Sequence, residues 1–179
     1  DIKGFKEIME ESRERTRAGR KKVFLTTLKE DLTSNFIGYD TLEGEGEVLY
    51  LTRNNNPVEE LGKGEGGELV TDVTPFYPES GGQLSDRGII FSNGTKISVL
   101  DVQKKGNAIY HTVEVMEGKV SIGDKVYLKV DGSRRKALAR AHTATHILHS
   151  VLREKLGDIV KQAGSLVDTD HLRFDFVCF

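Results

Sequence analysis

The stretch VDGSRRKALARAHTATHILHSVLREKLGD, residues 130–158, divides the chain into two textures. Within it Ala137, Ala141, Ala144, Leu148, Val151 and Leu152 recur at helical spacing. Asp131 or Ser133 can cap the start, and Gly157 can end the helix. The same helix carries His142, His146 and His149, three of the chain's five histidines. At roughly 100° per residue they share one face. Upstream the pattern is different: NFIGY, GEVLYLTR, GELVTDV, RGIIF, TKISVLDV, NAIYHTV and DKVYLKV read as short strands between turns. Asn93-Gly94 is a hairpin signal between two of them. So many short strands without an intervening helix predict a small β-barrel or sandwich. Downstream, DIVKQAGSLVD and HLRFDFVCF read as two more strands.

The expected fold class is α+β. A leading helical segment spans residues 1–33, where DIKGFKEIMEESRERTRAGRKK places Ile2, Phe5, Ile8 and Met9 ahead of a polar tract. A small β-barrel-like domain spans 34–132, and 133–179 opens an α/β two-layer unit. A start at Asp1 rather than methionine suggests a piece of something longer.

Composition narrows the class. The chain is 37% hydrophobic and 30% charged, as expected of a globular protein. No run approaches the roughly 20 apolar residues needed to span a bilayer, so no membrane partner is expected. A single cysteine, Cys178, excludes an internal disulfide and fits a reducing, cytoplasmic setting. The net charge of −2 hides an asymmetry. Residues 13–22 carry six positive side chains against one negative, and 133–161 carry seven against two. Residues 34–101 hold twelve acids and four bases. Basic ends around an acidic middle suit either a polyanion such as RNA or simply solvated helix faces.

Three motifs bear on chemistry. GKGEGG, residues 62–67, satisfies G-x-G-x-x-G but precedes a strand-like run, and Glu65 and Glu68 would repel phosphate; it is a loop. TPFYPESGGQLSDRG, residues 74–88, is a rigid loop in which Gly81-Gly82 lets a backbone approach a ligand or simply turn tightly. His142 and His146 have the i,i+4 spacing by which two imidazoles bind one metal. Thr143 stands where a zinc protease needs glutamate, so that mechanism is unsupported. His149, Cys178 and Asp175 are possible further donors.

YPESGGQLSDRG, RRKALARAHTATHILHSVLREKLG and VKQAGSLVDTDHLRFDF, in that order, resemble the editing region of the alanyl-tRNA synthetase family. GFKEIMEESRERTRAGRK resembles the helical segment that precedes it. The resemblance implies hydrolysis of tRNA(Ala) mischarged with serine or glycine, with residues 133–179 as the first part of the editing core. A pocket sized for alanine cannot exclude glycine and rejects serine weakly, so a second site must remove the errors. The resemblance carries zinc ligation to His142 and His146, amino-acid discrimination to Thr145, and the polar lining of the pocket to Gln162. Gly81, Gly82 and Gln83 match a glycine motif of the β-domain and are expected to contact the substrate, with the Gly81-Gly82 loop near the tRNA end. Arg134, Arg135, Lys136 and Arg140 are candidate contacts to tRNA phosphates.

Two departures accompany this. The family completes its zinc site with a downstream C-x-x-x-H that this sequence does not contain, and Cys178 stands where the family usually has histidine. The ATP and alanine pocket of the parent is absent too. The implied parent is an alanine–tRNA ligase with a deacylase activity. The isolated chain is expected to be inactive or weak, the alternatives being a tRNA-binding module without catalysis or a stand-alone trans-editing deacylase. An open strand edge would permit self-association.

Overall fold

Runs rich in Val, Ile and Tyr become strands because branched and aromatic side chains fit a pleated, half-buried surface. The computed structural model describes residues 32–177. Residues 1–31 of the expected leading helix, and Cys178, lie outside them. The strands are β1 (Asn35–Phe36), β2 (Glu43–Arg53), β3 (Asn56–Pro57), β4 (Glu60–Gly62), β5 (Gly66–Thr71), β6 (Val73–Thr74), β7 (Gly88–Ser92), β8 (Thr95–Lys105), β9 (Ala108–Glu117), β10 (Lys119–Ser121) and β11 (Lys125–Val130). One helix, α1 (Gly132–Leu156), and a hairpin, β12 (Lys161–Val167) with β13 (Leu172–Val177), follow.

The antiparallel order β11-β7-β8-β9-β5-β2 closes through a β11–β2 pairing into a six-stranded barrel. Closure removes the open edges that would otherwise invite aggregation. The interior is filled by Val48, Leu51, Leu69, Ile90, Ile97, Val99, Val102, Ile109, Val113, Val115, Val126 and Leu128, among others. Two of its three register shifts redirect the inward face. In β8 the register shifts between Val99 and Asp101, so the inward positions change from Ile97 and Val99 to Val102; Leu100 is 44% exposed. In β2 a shift between Val48 and Tyr50 moves the inward position from Val48 to Leu51. An extra residue at each point bends the long strand around the barrel. The β1–β6 and β4–β10 pairs flank the barrel as separate two-stranded ladders.

Ser92 pairs with Thr95 across Asn93-Gly94, as the turn signal predicts. A second tight turn had no glycine to announce it. Asn54 and Asn55 both adopt positive φ, 51° and 67°, and join β2 to β3. Asparagine tolerates this region better than other non-glycine residues.

Asp131 caps α1: its carboxylate accepts from the backbone N–H of Ser133 at 2.9 Å and of Arg134 at 3.0 Å. Gly157 ends the helix at φ 89°, its N–H donating to Arg153 O. Asp131→Ala is expected to lower stability by about 1 kcal/mol, read as a shift in the urea unfolding midpoint at unchanged slope. The expected apolar stripe is only partly used. Leu138 and Thr145 are the buried residues of α1, while Ile147, Leu148 and Val151 face solvent. The helix lies against β12 and β13, with the His149 ring 5.0 Å from that of Phe174. No helix among the described residues is long and apolar enough to cross a membrane.

Candidate functional site

The two histidines at i,i+4 come together on α1. The rings of His142 and His146 stack with centroids 4.9 Å apart and planes inclined by 26°. His142 Nδ1 lies 2.6 Å from Oε1 of Gln83, a buried side chain. His149 does not join the pair; it packs on Phe174, and its Nε2 is buried with no hydrogen-bond partner among the described residues. A groove of about 410 Å³ opens along α1 on the C-terminal side of His142, lined by His146, His149, Ser150, Arg153, Glu154 and Asp158.

Gln83 reaches α1 because of the glycines before it. Ser80 and Gln83 exchange backbone hydrogen bonds around Gly81 and Gly82, whose φ values are 60° and 83°. The turn lies on β12: Val167 N–H donates to Gly82 O at 2.8 Å, and Leu84 N–H donates to Val167 O. A Cβ at position 82 would sit 2.4 Å from both the carbonyl oxygen and Oγ of Ser165. The paired glycines thus make the tight turn that was the plainer reading, and the backbone that Gly82 approaches closely is that of β12. Gly81 has open space around its Cβ direction.

Four bases were expected to meet phosphates, and two of them are engaged inside the chain. Arg135 Nε lies 3.0 and 2.9 Å from the two carboxylate oxygens of Asp86, itself 1% exposed. Its terminal nitrogens donate to Gly38 O at 2.6 Å and Pro75 O at 2.8 Å. Arg134 Nε donates to Ser85 O, and its Nη1 is 3.9 Å from Asp168. A planar fork suits such convergent acceptors. Lys136 and Arg140 are exposed. Asp86 was not anticipated, although a loop acid followed 49 residues later by paired arginines was the available signal.

Thr145 is buried, and its hydroxyl donates to Ala141 O at 2.9 Å, so its oxygen is left as an acceptor. Gln162 is exposed, beside a bulge in β12 between Gln162 and Gly164. With Nδ1 of His142 against Gln83, its Nε2 is the ring nitrogen left open, and the His146 ring lies stacked on it one turn away. Zinc requires more. Among the described residues no third donor joins this pair; the group of three potential donors is Asp168, Asp170 and His171 at the β12–β13 turn. Asp175 instead accepts from Arg173 Nε at 3.1 Å. The donor set present fits half of a zinc site.

The profile of the family described as tRNA synthetases class II (A) matches residues 1–134. The chain is 48% identical to an alanine–tRNA ligase of Carboxydothermus hydrogenoformans, covering 100% of this chain and 22% of that protein. It is 46% identical to one of Halorhodospira halophila, over 98% of this chain and 20% of the relative. It is 41% identical to one of Pseudomonas entomophila, over 100% of this chain and 21% of the relative. The chain thus spans about a fifth of the length of these relatives. The similarity continues past residue 134 through the histidine helix and the hairpin. The chain belongs to the class II (A) tRNA synthetase family, and over its whole length it is similar to a region of alanine–tRNA ligase.

Proposed function

We propose that this chain supplies a barrel and the first wall of a deacylase pocket that clears serine and glycine from mischarged tRNA(Ala), within an enzyme that charges the same tRNA with alanine. The observation that carries this reading is the stacked His142–His146 pair, with Nδ1 of His142 held by buried Gln83. Two adjacent imidazoles, one of them held by an amide, suit a cation, and the likeness to alanine–tRNA ligases extends across them. His142 and His146 would hold zinc together with donors from outside the described residues. When bound, zinc supplies Lewis-acid polarisation and orientation at the ester.

The chain's own residues do the sorting. The Thr145 oxygen, its proton given to Ala141 O, accepts from a seryl hydroxyl that an alanyl ester lacks. Gln162 contributes a second polar contact to the amino acid. Lys136 and Arg140 lie roughly a quarter to a half turn around the helix from the histidines. They are placed to meet acceptor-stem phosphates rather than the reacting end. Arg134 and Arg135 serve tRNA only indirectly, by holding α1 on the barrel.

The test uses the full-length ligase carrying this sequence. Seryl-tRNA(Ala) is expected to be hydrolysed about 100-fold faster than alanyl-tRNA(Ala). His142→Ala with His146→Ala is expected to lower that rate at least about 100-fold while alanylation persists. A double variant that clears seryl-tRNA(Ala) at the unmodified rate rejects the proposal. One observation favours a second reading for the 179 residues alone: the His pair has no third donor among the described residues. On that reading the isolated chain binds tRNA without hydrolysing it, and deacylation by the isolated chain matching that of the whole ligase excludes it.

A further inference from the structure

We infer that Gln83 is a positioning residue for His142, fixing that imidazole in the tautomer that carries its proton on Nδ1 and leaves Nε2 to ligate. The inference rests on the metal reading above and deepens it, naming the group that prepares one ligand. The amide oxygen of glutamine only accepts, so a ring nitrogen 2.6 Å from Gln83 Oε1 has to be an N–H. A neutral imidazole has one such proton, and with Nδ1 protonated the lone pair lies on Nε2. Free histidine favours the opposite tautomer, so the protein has to impose this one.

The means of imposing it lie in the glycine motif. Gln83 is 7% exposed, and its backbone is held from both sides. Its N–H donates to Ser80 O at 3.0 Å and its carbonyl accepts from Ser80 N–H at 3.2 Å, closing the Gly81-Gly82 turn. Ser165 Oγ donates to Gly81 O at 3.2 Å, and the Val167 bonds to Gly82 and Leu84 anchor the turn to β12. The barrel loop, the hairpin and α1 therefore meet at this one amide. With Oε1 spent on His142, Gln83 is a poor acceptor for substrate and a good orienter of the ring. Partners of this kind behind a metal-bound histidine are worth about 10–100-fold in metal affinity.

The experiment reads ring nitrogens directly. Long-range 15N–1H NMR of the metal-free full chain at alkaline pH is expected to show His142 with its proton on Nδ1. Gln83→Leu is expected to return it to a mixture rich in the Nε2–H form and to weaken Zn²⁺ binding about 10-fold or more. Gln83→Glu keeps an acceptor and is expected to keep the tautomer. A wild-type His142 protonated on Nε2 overturns the inference without any variant being needed. A folded Gln83→Leu protein with unchanged His142 nitrogens overturns it as well. If Nδ1–H is held but added Zn²⁺ leaves the His142 and His146 nitrogens unmoved, the metal reading fails while the orienting role of Gln83 stands.

Discussion

Arg135→Ala is expected to lower folding stability by about 3–5 kcal/mol, the loss typical of removing one partner from a buried ion pair. The Arg135 guanidinium ties α1 to two loops at once: Gly38 O after β1, and Pro75 O with Asp86 at either end of the loop after β6. Its removal leaves the Asp86 carboxylate 1% exposed, with the Tyr77 N–H at 2.7 Å as a remaining donor, and strips donors from two carbonyls. Arg135→Lys should recover little, because one ammonium cannot span three acceptors in a plane. Asp86→Asn with Arg135→Met should recover much more, since neither half then leaves a buried charge. Urea unfolding of the four proteins gives the comparison. A loss under about 1 kcal/mol for Arg135→Ala would mean that the joint is solvated and that Arg135 is free to meet phosphate after all.

Acidification from pH 6.5 to 4 should remove about 3 kcal/mol of stability through a single side chain, His111. His111 is fully buried in β9, its ring edge-on to Phe76 at 5.4 Å. Nδ1 lies 3.0 Å from Leu69 O, and Nε2 lies 2.8 Å from Thr74 Oγ1, which already accepts from Phe76 N–H. The neutral ring satisfies this arrangement completely: Nδ1–H donates to Leu69 and Thr74 O–H donates to Nε2. Burial pushes its pKa from 6.5 down to about 4, the Leu69 carbonyl opposing the shift in part. Between these values the unfolded chain binds a proton that the fold refuses, so stability falls as pH falls. Above pH 6.5 both states are neutral and nothing is lost. Below about 4 the penalty is complete. The stability difference between wild type and His111→Gln should shrink by about 3 kcal/mol across this window. A difference that stays constant from pH 7 to pH 4 contradicts the assignment, and taking the difference removes the carboxylates the two proteins share.

Much of the architecture was legible because it is written in local chemistry. Asp131 or Ser133 at one end and Gly157 at the other bounded the helix, since a cap needs only its neighbours' amides and carbonyls, and the structure chose Asp131. Asn93-Gly94 announced its turn, and the His142–His146 pair followed from helical period alone. The bulges were not legible. TKISVLDV reads as a strand throughout and alternation already places Leu100 outward, yet the register shift between Val99 and Asp101 passes the next inward position from Asp101 to Val102. Such a shift depends on the partner strand. The predicted apolar stripe on α1 overstated burial at Leu148 and Val151 because periodicity reports a face without reporting what covers it.

By itself the sequence determined the local elements: a run of short strands, one capped helix, and two imidazoles one turn apart on it. Helical period and capping act over a few residues, so composition and spacing suffice for them. Tertiary structure alone decided which side chains serve that pair and which hold the frame. Gln83 stands 59 residues from His142, and Asp86 stands 49 from Arg135. Barrel closure and the landing of the Gly81-Gly82 turn on β12 bring them into contact, and only that contact separates an orienting amide from a substrate contact, or a buried brace from a phosphate-binding arginine.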